Sequence, residues 1–158
     1  MTAVQVGTLY GISVGPGDPE LITLKGLRIL KQVAVVAFPS GIQGKPGIAQ
    51  RIVDEWLENH QVQLALTFPY VQDMVVLTQA WKIAAEQVWQ YLHLGQDVAF
   101  VCEGDVSFYS TFTYLAEVLQ QLHPEAYKIS PPNLPRFHAQ EFRHRQSLTQ
   151  FHPSKFCE

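Results

Sequence analysis

Residues 33–38, Val33-Ala34-Val35-Val36-Ala37-Phe38, are apolar at every position and end against Pro39. A strand with one wet face alternates apolar and polar residues, so a run with no polar position implies burial on both faces. Covering both faces takes a layer of helices on each side of a parallel sheet. The rest of the chain supplies that pattern. Residues 97–102, Asp97-Val98-Ala99-Phe100-Val101-Cys102, make a second buried run, residues 4–14 are β-rich, and Val62 to Leu66 reads as a short strand. Leu21, Leu24, Leu27 and Leu30 recur at three-residue steps and predict one face of a first helix, opening at Pro19 and capped by Asp18. Ile48, Ile52, Val53, Trp56 and Leu57 mark a second. Leu77, Trp81, Ala84, Ala85, Val88, Trp89 and Leu92 mark a third over about 73–93, stopped by Gly95. Phe112, Leu115, Val118, Leu119 and Leu122 mark a fourth. Strands alternating with helices predict an α/β fold, a parallel sheet with flanking helices and right-handed crossovers.

In such sheets ligands gather at the carboxyl ends of the strands. Two loops there combine glycine with acidic residues: Gly15-Pro16-Gly17-Asp18-Pro19 after the first strand, and Glu103-Gly104-Asp105-Val106-Ser107 after residue 102. Glycine lets backbone amides come close to a ligand, and a strand–turn–helix corner presents them. A dinucleotide fingerprint is excluded, since no glycine follows Gly17 at its third position, and no Gly-Lys-Ser/Thr follows for a phosphate-binding loop. The plainest alternative is a βα turn that binds nothing.

The first stretch, Gly11-Ile12-Ser13-Val14-Gly15-Pro16-Gly17-Asp18-Pro19-Glu20-Leu21-Ile22-Thr23-Leu24-Lys25, resembles the opening signature of the tetrapyrrole (corrin and porphyrin) methylases. Ser13 stands where many members have a second glycine. Glu103-Gly104-Asp105-Val106-Ser107-Phe108-Tyr109-Ser110-Thr111-Phe112 is similar to their second motif, usually EGDP and then YSTF, with Val106 in place of the proline. That replacement is expected to loosen the loop. With Ala37-Phe38-Pro39, the pair points within the family to methylation of precorrin-2 at C20, in cobalamin synthesis. The resemblance covers about residues 7–129 and implies S-adenosylmethionine as methyl donor. It implies contacts from Pro16, Glu103, Gly104, Asp105 and Phe108, with Thr111 at the mouth of the following helix. A homodimer is implied for the intact protein. Acidic groups suit an ammonium and a sulfonium, and an aromatic ring suits the sulfonium by cation–π contact. No general base is assigned. Lys45 and Arg51 are candidates for substrate carboxylates but read more simply as solvated charge.

The pattern stops after Tyr127-Lys128-Ile129. Residues 1–129 read as the family's N-terminal domain, and residues 130–158 as an irregular tail outside the family fold. In that tail Ser130-Pro131-Pro132-Asn133-Leu134-Pro135 continues neither strand nor helix. Four basic against two acidic side chains give the tail +2, which leaves −5 on the first 129 residues of a chain with net charge −3. Family members continue into a second α/β domain, so the chain reads as a truncated form, with a non-catalytic half-domain that binds the donor weakly or only dimerises as the alternative.

The acidic balance argues against a nucleic-acid surface, and no apolar run approaches the ~20 residues of a membrane span. With 158 residues, 47% of them hydrophobic, the chain is large enough for one core. The N-terminus shows no secretion signal, and Cys102 and Cys157 have no disulfide-framework spacing, so a reducing cytoplasm is expected. Cys102 reads as a structural thiol. His138, His144, His152 and Cys157 lack zinc-finger spacing, so no metal is expected.

Overall fold

The structure, a computed structural model, describes residues 5–106, 111–126 and 128–130. Five parallel strands, β1 (Leu9–Ser13), β2 (Val35–Pro39), β3 (Val62–Leu66), β4 (Val98–Cys102) and β5 (Ile129–Ser130), form one sheet in the order β3-β2-β4-β1-β5. Helices α1 (Leu24–Gln32), α2 (Ile48–Val53), α3 (Met74–Leu92) and α4 (Thr111–Leu122) lie in the connections. This is the α/β architecture read from the sequence. The expected tail falls outside the described residues, apart from Ser130 in β5.

The sheet divides the interior into two cores. Side chains alternate across a strand, so β4 sends Val98, Phe100 and Cys102 into one core and Ala99 and Val101 into the other. The first core is closed by Val88 and Leu92 of α3 and by Phe112, Leu115 and Leu119 of α4. The second is closed by Leu30 of α1 and by Ala49, Ile52 and Val53 of α2. All five residues of β4 are buried, and each large one contributes roughly 1.5–3 kcal/mol over exposure. Cys102 is part of that core.

The start of α1 differs from the sequence expectation. Asp18 caps only a single 3-10 turn, Pro19–Leu21, accepting from the Glu20 amide at 2.9 Å. The backbone is then extended at Ile22, and Thr23 caps α1, its Oγ1 accepting from the Gly26 amide at 3.0 Å. Leu21 is 56% exposed and Leu24 84%. Strict three-residue steps lose about 60° each on a helix of 3.6 residues per turn, so four such leucines sweep about half the circumference. The buried face runs instead through Gly26 and Leu30 to Val33, and it is narrow because α1 lies close on the sheet. A Cβ on Gly26 would stand 3.0 Å from Ile12 Cγ2.

Smaller departures lie at the ends of elements. Val33 ends α1 instead of opening a strand, and Ile48 is exposed at the first position of α2, where Ala49, Ile52 and Val53 face inward. Leu122 is partly exposed at the end of α4 and Ala116 takes the inward place. Helix ends have fewer neighbours than helix middles, so Ile48 and Leu122 escape burial, whereas Val33 at the end of α1 stays in the core.

Candidate functional site

β1 and β4 are neighbours in register, Ser13 opposite Cys102, so the loops that follow them leave the same rim side by side. The first leads to α1 on one face of the sheet and the second to α4 on the other. Loops that part in this way leave a crevice at the carboxyl ends of their strands.

Three hydrogen bonds extend the pairing beyond the sheet. The Val14 amide donates to the Cys102 carbonyl at 2.9 Å, and the Gly104 amide to the Gly15 carbonyl at 3.1 Å. The last pair forms an isolated antiparallel bridge, with φ of +82° at Gly15 and +70° at Gly104. These are backbone angles that glycine takes without the strain a Cβ would bring. Third, the Val106 amide donates to Ser13 Oγ at 2.8 Å. Side chains of β1 alternate, and Leu9, Gly11 and Ser13 point to the α3/α4 side, where Val106 is fully buried.

This geometry corrects two expectations. The amides of Gly104 and Val106 do not all face outward toward a ligand, because they join the loops to each other. Val106 does not loosen its loop either: its side chain is in the core and its N–H is bonded. Ser13 and Val106, the two departures from the signature, are bonded to one another. Neither alone carries a sequence signal; the link becomes visible only when the alternation of β1 is combined with its register against β4.

Around this junction, Pro16, Gly17, Asp18 and Glu20 are exposed on one side, and Glu103, Gly104 and Asp105 on the other. Four carboxylates on two adjoining loops make a local negative potential that favours a cationic ligand group. A Cβ placed on Gly17 or on Gly104 would meet nothing within 4 Å, so the space beside both is open. Thr111 is half-buried at the first position of α4, and Phe108 lies outside the described residues. Next along the rim, Ser40 Oγ after β2 is 3.4 Å from Thr67 Oγ1 after β3. Lys45 and Arg51 are exposed. Among the described residues no group of three histidine, cysteine or acidic side chains could hold a metal ion, and no helix is long and apolar enough to cross a membrane.

Comparison with known proteins adds four matches. The family described as Tetrapyrrole (Corrin/Porphyrin) Methylases matches residues 8–131. A probable cobalt-precorrin-2 C(20)-methyltransferase of Methanocaldococcus jannaschii is 35% identical over 116 residues, covering 73% of this chain and 49% of that protein. Among solved structures, a putative cobalamin synthesis related protein (CobF) from Corynebacterium diphtheriae superposes with a TM-score of 0.63 at 20% identity, covering 89% of this chain and 58% of that one. Uroporphyrin-III C-methyl transferase from Thermus thermophilus, complexed with S-adenosyl homocysteine, does so at 0.53 and 18%, covering 85% of this chain and 48% of that one. The chain spans no more than about half the length of these curated relatives.

Proposed function

Because the chain belongs to the tetrapyrrole (corrin/porphyrin) methylase family, we propose that it is the donor-binding first part of an S-adenosylmethionine-dependent methyltransferase acting on precorrin-2, or its cobalt complex, at C20. The observation that carries this reading is the bridge between Gly15 and Gly104, which gathers both glycine-acid loops at one point of the sheet rim. The name of the archaeal relative supports the substrate and ring position. The S-adenosyl homocysteine in the Thermus structure supports the donor.

The residues present fit such a donor. Open space beside Gly17 and Gly104 admits a ligand close to the backbone. The carboxylates of Glu103 and Asp105 complement its ammonium and sulfonium, and Pro16 borders the same space. Thr111 stands at the mouth of α4, and Phe108 belongs to the same set. When bound, the donor supplies an already activated methyl group, which an electron-rich ring carbon takes in line as the sulfur keeps the bonding electron pair. The chain's own part is to orient that group and exclude water, an entropic and electrostatic contribution that needs no covalent intermediate on the protein. The intact enzyme is read as a cytoplasmic homodimer.

Titration calorimetry of the chain with S-adenosylmethionine, followed by a methyl-transfer assay on precorrin-2, tests this. Saturable binding with 1:1 stoichiometry is expected; absence of binding defeats the donor assignment. A second reading is favoured by the chain's span of half its relatives: a half-site that binds the donor but does not turn over, since part of a cleft buries only part of its ligand. Binding without methyl transfer selects it, and gel filtration reports whether it dimerises.

A further inference from the structure

We propose that the Ser13 hydroxyl is a latch that holds Asp105 in place, making Ser13 a positioning residue for the methyl donor; this rests on the donor reading above. Asp105 lies between two anchored neighbours. On one side the Gly104 amide is bonded to the Gly15 carbonyl, and on the other the Val106 amide is bonded to Ser13 Oγ. The two bonds fix the backbone before and after Asp105 while its own side of the loop remains exposed.

The anchors differ in kind. The Gly15–Gly104 bond is made by backbone alone, so any sequence that can adopt those angles keeps it. The Ser13–Val106 bond depends on one side chain acting across 93 residues of chain. Val106 adds to the latch because its side chain is fully buried, which stops the loop from pivoting about Gly104. Alanine at 13 would fit the strand but leave a buried amide without the acceptor it has now. The loop then gains freedom to swing, and an ordered binding geometry becomes one of several.

The test uses the full chain as Ser13→Ala and Ser13→Thr, with three readouts: amide exchange by NMR, calorimetric affinity for S-adenosylmethionine, and the thermal midpoint. Ser13→Ala is expected to raise exchange at Val106 at least tenfold and weaken donor binding roughly 5- to 20-fold, while amides in the middle of β1 and β4 keep their protection. Ser13→Thr, which retains an acceptor oxygen, is expected to restore both. The latch is overturned if Ser13→Ala leaves Val106 exchange and affinity within twofold of the wild type. It is equally overturned if affinity falls only in step with protection lost throughout β1 and β4, or if threonine restores nothing. A wild-type chain that binds no donor defeats the donor reading instead, and the exchange measurement alone then decides whether Ser13 holds the loop.

Discussion

Gly11 and Gly104 face the same replacement with different physics. A Cβ on Gly11 would stand 2.7 Å from three ring atoms of Phe112, which lies flat against β1 in the α3/α4 core. Gly11→Ala therefore overpacks a rigid interior, and a loss of about 1–3 kcal/mol is expected in the denaturant midpoint. At Gly104 the space is open but φ is +70°, so alanine meets strain and no clash. Gly104→Ala is expected to cost about 1–2 kcal/mol, read as a lower denaturant midpoint together with faster amide exchange at position 104. Glu117 on α4 gives a pH-dependent case. Burial penalises its charged form and holds its pKa above the usual carboxylate range. The folded state thus binds the proton more readily than the unfolded chain. Stability is unaffected below the ordinary carboxylate pKa and falls as pH rises from there through the raised value. Glu117→Gln is expected to melt higher than the wild type at pH 7 and to match it below that window, in paired melts at the two pH values. A gap that persists unchanged in acid would contradict the assignment.

At the scale of elements, the junction of α1 with β3 is held by one buried polar side chain. Gln61 donates through Nε2 to the carbonyls of Leu30, at 2.7 Å, and Val33, at 2.9 Å, while its Oε1 accepts from the Glu58 amide at 2.9 Å. The carbonyls at a helix end lack helical partners, and here the glutamine supplies them. Gln61→Leu keeps much of the volume and strands these groups, so a loss of roughly 2–4 kcal/mol is expected in urea titration, with the slope unchanged. Nothing in the sequence announced this bracket, because a glutamine in a turn is ordinary and its partners lie about thirty residues away. The Ser13–Val106 bond escaped for the same reason. What could be read were features local in the chain: the all-apolar runs that became β2 and β4, the matching bounds of β3, and the two glycine-acid loops. The first helix was misread because Thr23 offers a better cap than Asp18 for the helix proper. Its leucines at three-residue steps imitate a face that the helical period does not keep.

At the scale of the whole molecule, one sheet is shared by two cores that do not otherwise merge. Two outcomes are open to such an architecture. Either each helix layer melts with its own core, or strands β2 and β4, covered on both faces, couple them, since neither face of those strands can be uncovered without exposing apolar surface. The second follows from the alternation itself. Val35 and Ala37 belong to one core, Val36 and Phe38 to the other, so losing either helix layer leaves a strand half solvated. Ile52→Val weakens the α1/α2 side by about 1 kcal/mol, and Val88→Ala the α3/α4 side by about 2 kcal/mol. They lie in separate clusters, so the double variant is expected to lose their sum to within about 0.5 kcal/mol. Trp56 packs beside the α1/α2 core and Trp81 and Trp89 beside the α3/α4 core, which lets fluorescence report both. Tryptophan fluorescence and far-UV circular dichroism should then give coincident single transitions in all four proteins, shifted together whichever face is cut. A biphasic fluorescence curve in Ile52→Val, with α3 and α4 still helical after the first step, would show that the sheet does not transmit stability from one face to the other.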